Sequence, residues 1–399
     1  MYNSYFEELI LLDILINLEW NAYEDEKLID IVKDLIRNGN YNYLMDEIGD
    51  CTIKMLKSDW LFVLEKILSN QRLIDLRIKN VDEYYKNGMK YVCLVDQENN
   101  AIVVFRGTAT TEEWEDNGQG AYEYETKEQI DALNFINGLN YEKITVTGHS
   151  KGGNKAQYTA VLSPKVTKCI SINGQGFSNE FINKYSFEIS RNEEKIISIN
   201  AKYDYVSCLF NNISNECHYL KTLIQTNPFD YHKAHILLDP TGGLRPETDE
   251  AIISNIINKF STYIISDLPK DVSKLVVDRV IDIVEMVLCR DENGGNIFQE
   301  MGKYLLMECY ESSVEYKEIF SISFVIAEVL ILPLLFWSDL ILAEETKSKD
   351  VIKDIINKII AIGESKIIKL KLIDKTQINL IDKLSKAIHE LTERLEKEI

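Results

Sequence analysis

Residues Ile144 to Gly153 read I-T-V-T-G-H-S-K-G-G and contain the chain's best candidate for covalent chemistry, Ser150. A β-branched run rises to a glycine, a histidine and the serine. Two more glycines follow, then a helix-like segment without proline. The G-x-S-x-G spacing is that of a nucleophile elbow, a sharp strand-to-helix turn that lifts a serine hydroxyl clear of a sheet. Gly148 and Gly152 are small where such a turn brings neighbouring backbone close. Ser150 then stands at a helix N-terminus, whose positive end favours the anion that develops in acyl transfer.

A serine hydroxyl is a poor nucleophile near neutral pH, so it needs a base and a group that orients the base. Asp204, in N-A-K-Y-D-Y-V after the strand-like run Lys195 to Ile199, stands where that acid belongs. Five histidines limit the base. His149 adjoins the serine, and strand alternation directs its ring away from the serine's side. His218 follows Asp204 closely, and His389 lies in an amphipathic tail. His232 and His235, in F-D-Y-H-K-A-H after Pro228, both satisfy the chain order serine, acid, histidine. For the oxyanion, Phe105-Arg106-Gly107-Thr108 closes an upstream strand, where Gly107 admits the nucleophile and Thr108 can present its N–H. Lys151 supplies the second N–H.

The surrounding pattern is built to position these groups. Tyr91 to Val95 and Ala101 to Phe105 read as a hairpin around Gln97 to Asn100, followed by a polar loop and a helix from Thr126 to Leu139. Further strands are expected at Lys143 to Thr147, Lys168 to Ile172 and Lys195 to Ile199. Strands alternating with helices give a mainly parallel sheet covered on both faces, with the chemistry at the carboxyl ends of the strands. Upstream, apolar residues recur at helical spacing from Tyr5 to Asn38, and Asp59 to Leu68 reads as another helix. Beyond Glu250 the strand signal vanishes, and Ala251 to Leu268, Lys270 to Arg290 and Asn296 to Glu311 read as helices. Three parts follow: an N-terminal helical segment (1–84) packed on the core, a catalytic core (85–249) and a C-terminal helical region (250–399).

Ile319 to Ala343 is the most apolar stretch, but Glu328, Pro333 and Asp339 interrupt it, which favours a buried helical hairpin over a membrane span. In the tail, Ile381, Leu384, Ile388, Leu391 and Leu395 form a seam for packing or for a partner helix. The net charge of −20 argues against nucleic acid and against electrostatic docking on anionic lipid, so any membrane contact is transient and apolar. Seven scattered cysteines without C-x-x-C, and so few histidines, give no disulfide framework and no metal centre. The chemistry sketched above needs no cofactor. Glu7, Glu8 and Asp13 around the first apolar residues rule out a secretory signal, so cytoplasmic synthesis is expected.

Taken together, A-I-V-V-F-R-G-T (101–108), E-W-E-D-N (113–117), the G-H-S-K-G-G elbow and the Asp204-x-Val206 pair resemble the fungal-type (class 3) lipases, in a bacterial branch. The resemblance covers roughly residues 85 to 245. It implies a lipase-like α/β-hydrolase fold with Ser150 as nucleophile, Asp204 as acid and His232, rather than His235, as base. It also implies an oxyanion hole at Thr108 and Lys151, a structural part for Trp114 and Asp116, and a turn at N-G-Q-G-F (173–177) beside the site. The residues around His232 depart from the family pattern. The implied substrates are acyl lipids, phospholipid or lysophospholipid before triglyceride. A lipase followed by a long helical region is also similar in layout to toxins exported by type VII secretion, which implies small helical partner and immunity proteins at 250–399. A non-catalytic protein keeping the fold is the remaining alternative.

Overall fold

The computed structural model describes residues 2–18, 24–39, 55–81, 90–109, 111–225, 228–266, 270–288 and 336–373, with 327, 333, 334, 382, 385 and 386. Among the described residues, four helices open the chain: α1 (Tyr2–Leu15), α2 (Leu28–Asn38), α3 (Lys57–Ser69) and α4 (Gln71–Ile74). An eight-stranded sheet follows, with strands β1 (Arg77–Val81), β2 (Tyr91–Val95), β3 (Ala101–Phe105), β4 (Ile144–His149), β5 (Val166–Ile172), β6 (Ile196–Ala201), β7 (Glu216–Leu220) and β8 (Glu247–Thr248). Between them lie α5 (Thr111–Gln119), α6 (Lys127–Gly138), α7 (Lys151–Leu162), α8 (Asn179–Lys184) and α9 (Ser186–Asn192). Helices α10 (Ile252–Ser266), α11 (Lys270–Leu288), α12 (Trp337–Glu345) and α13 (Lys349–Ile373) form a C-terminal layer. The architecture is α/β.

The strands lie side by side in chain order. Pairings from β3 through β7 are parallel, while β1–β2, β2–β3 and β7–β8 are antiparallel. Strands added always on the same side send right-handed crossovers to one face only. Accordingly α6, α7, α8 and α9 pack with Val103, Phe105, Val146 and Cys169 on that face. The opposite face, carrying Val104, Ile170, Ile172, Ile197 and Ile199, is covered by α1, α2 and α3. Both faces are covered, as the strand–helix alternation implies, but the second by N-terminal helices and not by crossovers.

Helix α1 suits that task because it is apolar on nearly every side, the composition of a helix buried all round. In α2 the buried residues Leu28, Ile31, Val32 and Leu35 form one stripe, and Gly39 ends it in the left-handed region (φ 69°). The segment expected to be a polar loop after β3 contains a helix, α5. Its Asp, Asn and Gly residues disfavour helix, but Glu113 and Asp116 are buried in ion pairs that repay the local cost. Helix α11 packs across α5. Strands β1 and β8 are elements the sequence reading lacked.

Asn296 to Glu311, the tail seam with His389, and most of Ile319 to Ala343 lie outside the described residues. No described helix is long and apolar enough to cross a membrane.

A carboxyl group lies deep inside the core on the α1 face. Asp13 is 1% exposed, and Oδ2 accepts the Thr147 hydroxyl at 2.8 Å while Oδ1 has no partner. Burial holds its carboxyl well above the ordinary range. The unfolded chain releases this proton near pH 4, whereas the fold retains it to much higher pH. The folded state therefore binds more protons across that window, and stability falls as pH rises through it. Asp13→Asn should remove that loss. Its melting temperature should exceed the parent's clearly at pH 8 and approach it at pH 4. An equal difference at both pH values would defeat this account.

Candidate active site

Strand β4 delivers Ser150 to the carboxyl edge of the sheet, and α7 starts at the next residue. The serine adopts φ 59° and ψ −125°, a conformation that side-chain-bearing residues rarely enter. Two glycines permit it. A Cβ on Gly148 would stand 2.2 Å from the Gly152 carbonyl carbon, and one on Gly152 would stand 2.1 Å from the Phe105 oxygen. The turn is locked from the neighbouring strand, where the Ser150 N–H donates to the Ile172 carbonyl at 3.0 Å.

The other groups arrive on connections leaving the same edge. Asp204 lies in the β6–β7 connection and is 1% exposed, and His232 ends a 3-10 turn, Pro228–His232. The Ser150 hydroxyl donates to His232 Nε2 at 2.8 Å, and His232 Nδ1–H donates to Asp204 Oδ1 at 2.8 Å. Asp204 Oδ2 accepts the Ser207 N–H at 2.7 Å, so both carboxylate oxygens are fixed. Serine, imidazole and carboxylate form one continuous chain of hydrogen bonds, the arrangement that activates a hydroxyl for attack on a carbonyl.

His235 does not reach the serine. Its Nε2 lies 3.5 Å from Asp59 Oδ2 at the start of α3, and burial, helped by the Lys233 and Arg245 cations, pulls its pKa down to about 4. His218 is occupied by Glu216 and Glu247 at 2.8 and 2.9 Å. The geometry thus separates two histidines that the sequence left adjacent.

His149 differs from expectation. Its ring packs against that of His232, with centroids 4.7 Å apart, and its Nε2–H donates to the His232 carbonyl at 2.6 Å. Alternation does put His149 on the Thr147 side of β4, but the turn carrying His232 returns on that side. Its continuation, Ala234 and Leu237, packs with α1. Burial, then the neighbouring His232, lowers the His149 pKa to about 3, so it remains a neutral donor. Asn173 (φ 46°) reinforces the hold. Its Nδ2 donates to the same His232 carbonyl at 3.3 Å, and its Oδ1 accepts the Ala201 N–H at 2.8 Å.

Thr108 and Lys151 flank the serine. Phe105 pairs with Gly148, so the residues just beyond β3 and β4 run at one level, and Gly107 lies against His149 and Ser150. Thr108 Oγ1 accepts from Asn117 Nδ2 at 2.7 Å, which leaves its own hydroxyl proton to donate elsewhere. The Lys151 N–H is the first amide of α7 and has no acceptor within the helix.

The Lys151 side chain is more constrained than an amide donor requires. Its ammonium, 2% exposed, sits 2.8 Å from Asp116 Oδ2. Beside that pair run Arg106–Glu113 at 2.8 Å, Lys90–Glu128 at 2.8 Å and Lys155–Glu128 at 3.6 Å. Burial alone would raise the Glu113 and Asp116 carboxyls. The Arg106 and Lys155 cations hold Glu113 below its usual value, and Lys151 does the same for Asp116. This buried network under the elbow helix went unread in the sequence. Its trace there is the pair Lys151 and Lys155, one turn apart in a helix with almost no exposed face.

No curated protein matches the chain. Residues 69–228 match the model of the Mbeg1-like family, which is lipase-like, and the match takes in the elbow and Asp204 but ends before His232 and the C-terminal helices.

Proposed function

We propose that the protein is a serine hydrolase that cleaves carboxylic esters of acyl lipids, phospholipid or lysophospholipid in preference to triglyceride. The observation that carries this reading is the bonded chain Ser150–His232–Asp204, built on a serine in a strained turn. In this mechanism Ser150 attacks the ester carbonyl as His232 Nε2 takes its proton. Asp204 orients the imidazole and stabilises its charged form, and the Thr108 and Lys151 N–H groups receive the oxyanion. His232 then returns the proton to the leaving alcohol, and water, activated by the same imidazole, resolves the acyl-enzyme.

A lipid substrate is supported by the similarity to a lipase-like family and by two exposed apolar residues that precede the His232 turn in the chain. Leu223 and Ile224, 63% and 66% exposed, lie in the segment leading toward the His232 turn. With a net charge of −20, contact with a lipid aggregate must come from such apolar groups and not from a basic surface. The test is a mixed lipid extract incubated with the protein or its Ser150→Ala variant, read by mass spectrometry. Free fatty acid appearing only with the intact serine is the expected result, and the depleted lipids name the head group. No release from any lipid would remove the lipid assignment.

A further inference from the structure

The loop that carries Asp204 has no helix or strand of its own, and its shape is set by turn bonds, such as the Asp204 N–H to the Ala201 carbonyl at 3.0 Å, together with side-chain contacts. Both neighbours of the aspartate are gripped by α12. The indole Nε1–H of Trp337, itself fully buried, donates to the Tyr203 carbonyl at 3.0 Å. The Tyr205 ring meets the indole edge-on, with centroids 5.4 Å apart at 83°. At the far end of the same helix, Glu345 accepts the Tyr203 hydroxyl at 2.6 Å, and Lys202 lies 3.3 Å from both Glu344 and Glu345. Tyr203 in turn packs edge-on against Tyr231, the residue before His232, at 5.7 Å. From α10, Asn258 Nδ2 donates to the Cys208 carbonyl at 3.0 Å, further along the same loop.

We propose that Trp337 is a positioning residue for hydrolysis: through Tyr203 and Tyr205 it fixes the loop that aims Asp204 at His232. The C-terminal helical layer is then part of what makes the site work. This inference rests on the roles proposed above for Ser150, His232 and Asp204. The Tyr203 carbonyl is buried beneath the indole, and without that donor the loop must shift to find another. An orienting carboxylate tolerates little movement, since a misplacement of about 1 Å can cost a hundredfold in rate.

The test uses the full chain and Trp337→Phe, which keeps an aromatic ring but deletes the donor. Ile359→Ala, buried in α13 of the same helical layer, is the control. Two readouts are taken: kcat and KM on p-nitrophenyl butyrate, and the downfield proton NMR resonance of His232 Nδ1–H, which requires no substrate. For Trp337→Phe, kcat should fall about tenfold to a hundredfold with KM nearly constant. The resonance should move or broaden, and Ile359→Ala should change neither below its melting temperature. A folded Trp337→Phe with parental kcat and an unmoved resonance overturns the proposal. If the parent protein hydrolyses no ester, the hydrolase reading fails while the resonance still decides the positioning. Should Trp337→Phe not fold, Tyr203→Phe, which deletes only the hydroxyl held by Glu345, is read in the same way.

Discussion

Replacing Ser150 with alanine should lower kcat on any ester substrate by about a million-fold, the scale seen when the nucleophile of a serine triad is removed. The same variant should lose labelling by a fluorophosphonate, while circular dichroism and melting remain close to the parent's. The fold is expected to survive because the hydroxyl bonds to His232, and both Asp204–His232 and the His232 carbonyl grips persist without it. Alanine does not relieve the backbone, since its Cβ meets the same crowding at φ 59°. Glycine does. Ser150→Gly should be equally inactive yet more stable than Ser150→Ala by about 1 kcal/mol, the strain released less the added freedom of the unfolded chain. A Ser150→Ala protein retaining more than a hundredth of parental activity would move the chemistry to another group.

Breaking the Lys151–Asp116 pair should be the most damaging single change to stability. Lys151→Met keeps the aliphatic stem but leaves Asp116 buried without its cation, a loss of about 3–5 kcal/mol. Its remaining support is the Glu128 N–H, which reaches Asp116 Oδ1 at 3.0 Å, and the Thr126 hydroxyl. Adding Asp116→Asn removes the orphaned charge and should recover at least half of the loss, because a neutral amide is far cheaper to bury than a carboxylate. Urea titration of the parent, the single variant and the double variant measures both steps. A single variant within about 1 kcal/mol of the parent would show that the pair is not worth its burial, as surface pairs commonly are not.

These two sites mark what the sequence disclosed and what it withheld. Ser150 was legible because an elbow is local: strand, glycine, serine, glycine and helix occur within ten residues. Asp204 followed from chain order and from its place after a strand. The choice between His232 and His235 was beyond periodicity, because both lie in one irregular turn and only the packing of Ala234 and Leu237 against α1 decides which ring faces the serine. The contact of His149 with His232 was not legible, because alternation describes the strand and not the connection that returns over it. Lys151 and Asp116 were read separately, and nothing local says that residues 35 apart must pair. Helix α5 was missed for the same reason, since its burial and not its composition makes it a helix. The grip of Trp337 on Tyr203 spans 134 residues and starts from a segment that reads only as apolar.

The cover that α1 gives to the second face of the sheet has a consequence for biosynthesis. This helix is synthesised before the sheet it covers, apolar on nearly every side, yet Asp13 awaits Thr147, which is 134 residues later. At 5–20 residues per second that is roughly 7 to 27 s before β4, a strand that α1 packs against, has been made. The nascent chain therefore passes through a long interval with a strongly apolar helix only partly sheltered, α3 and the start of α4 being early companions that the fold supplies for it. A pulse of holdase chaperone during translation should raise the soluble yield, and moving the first 81 residues to the chain's end should make that help unnecessary.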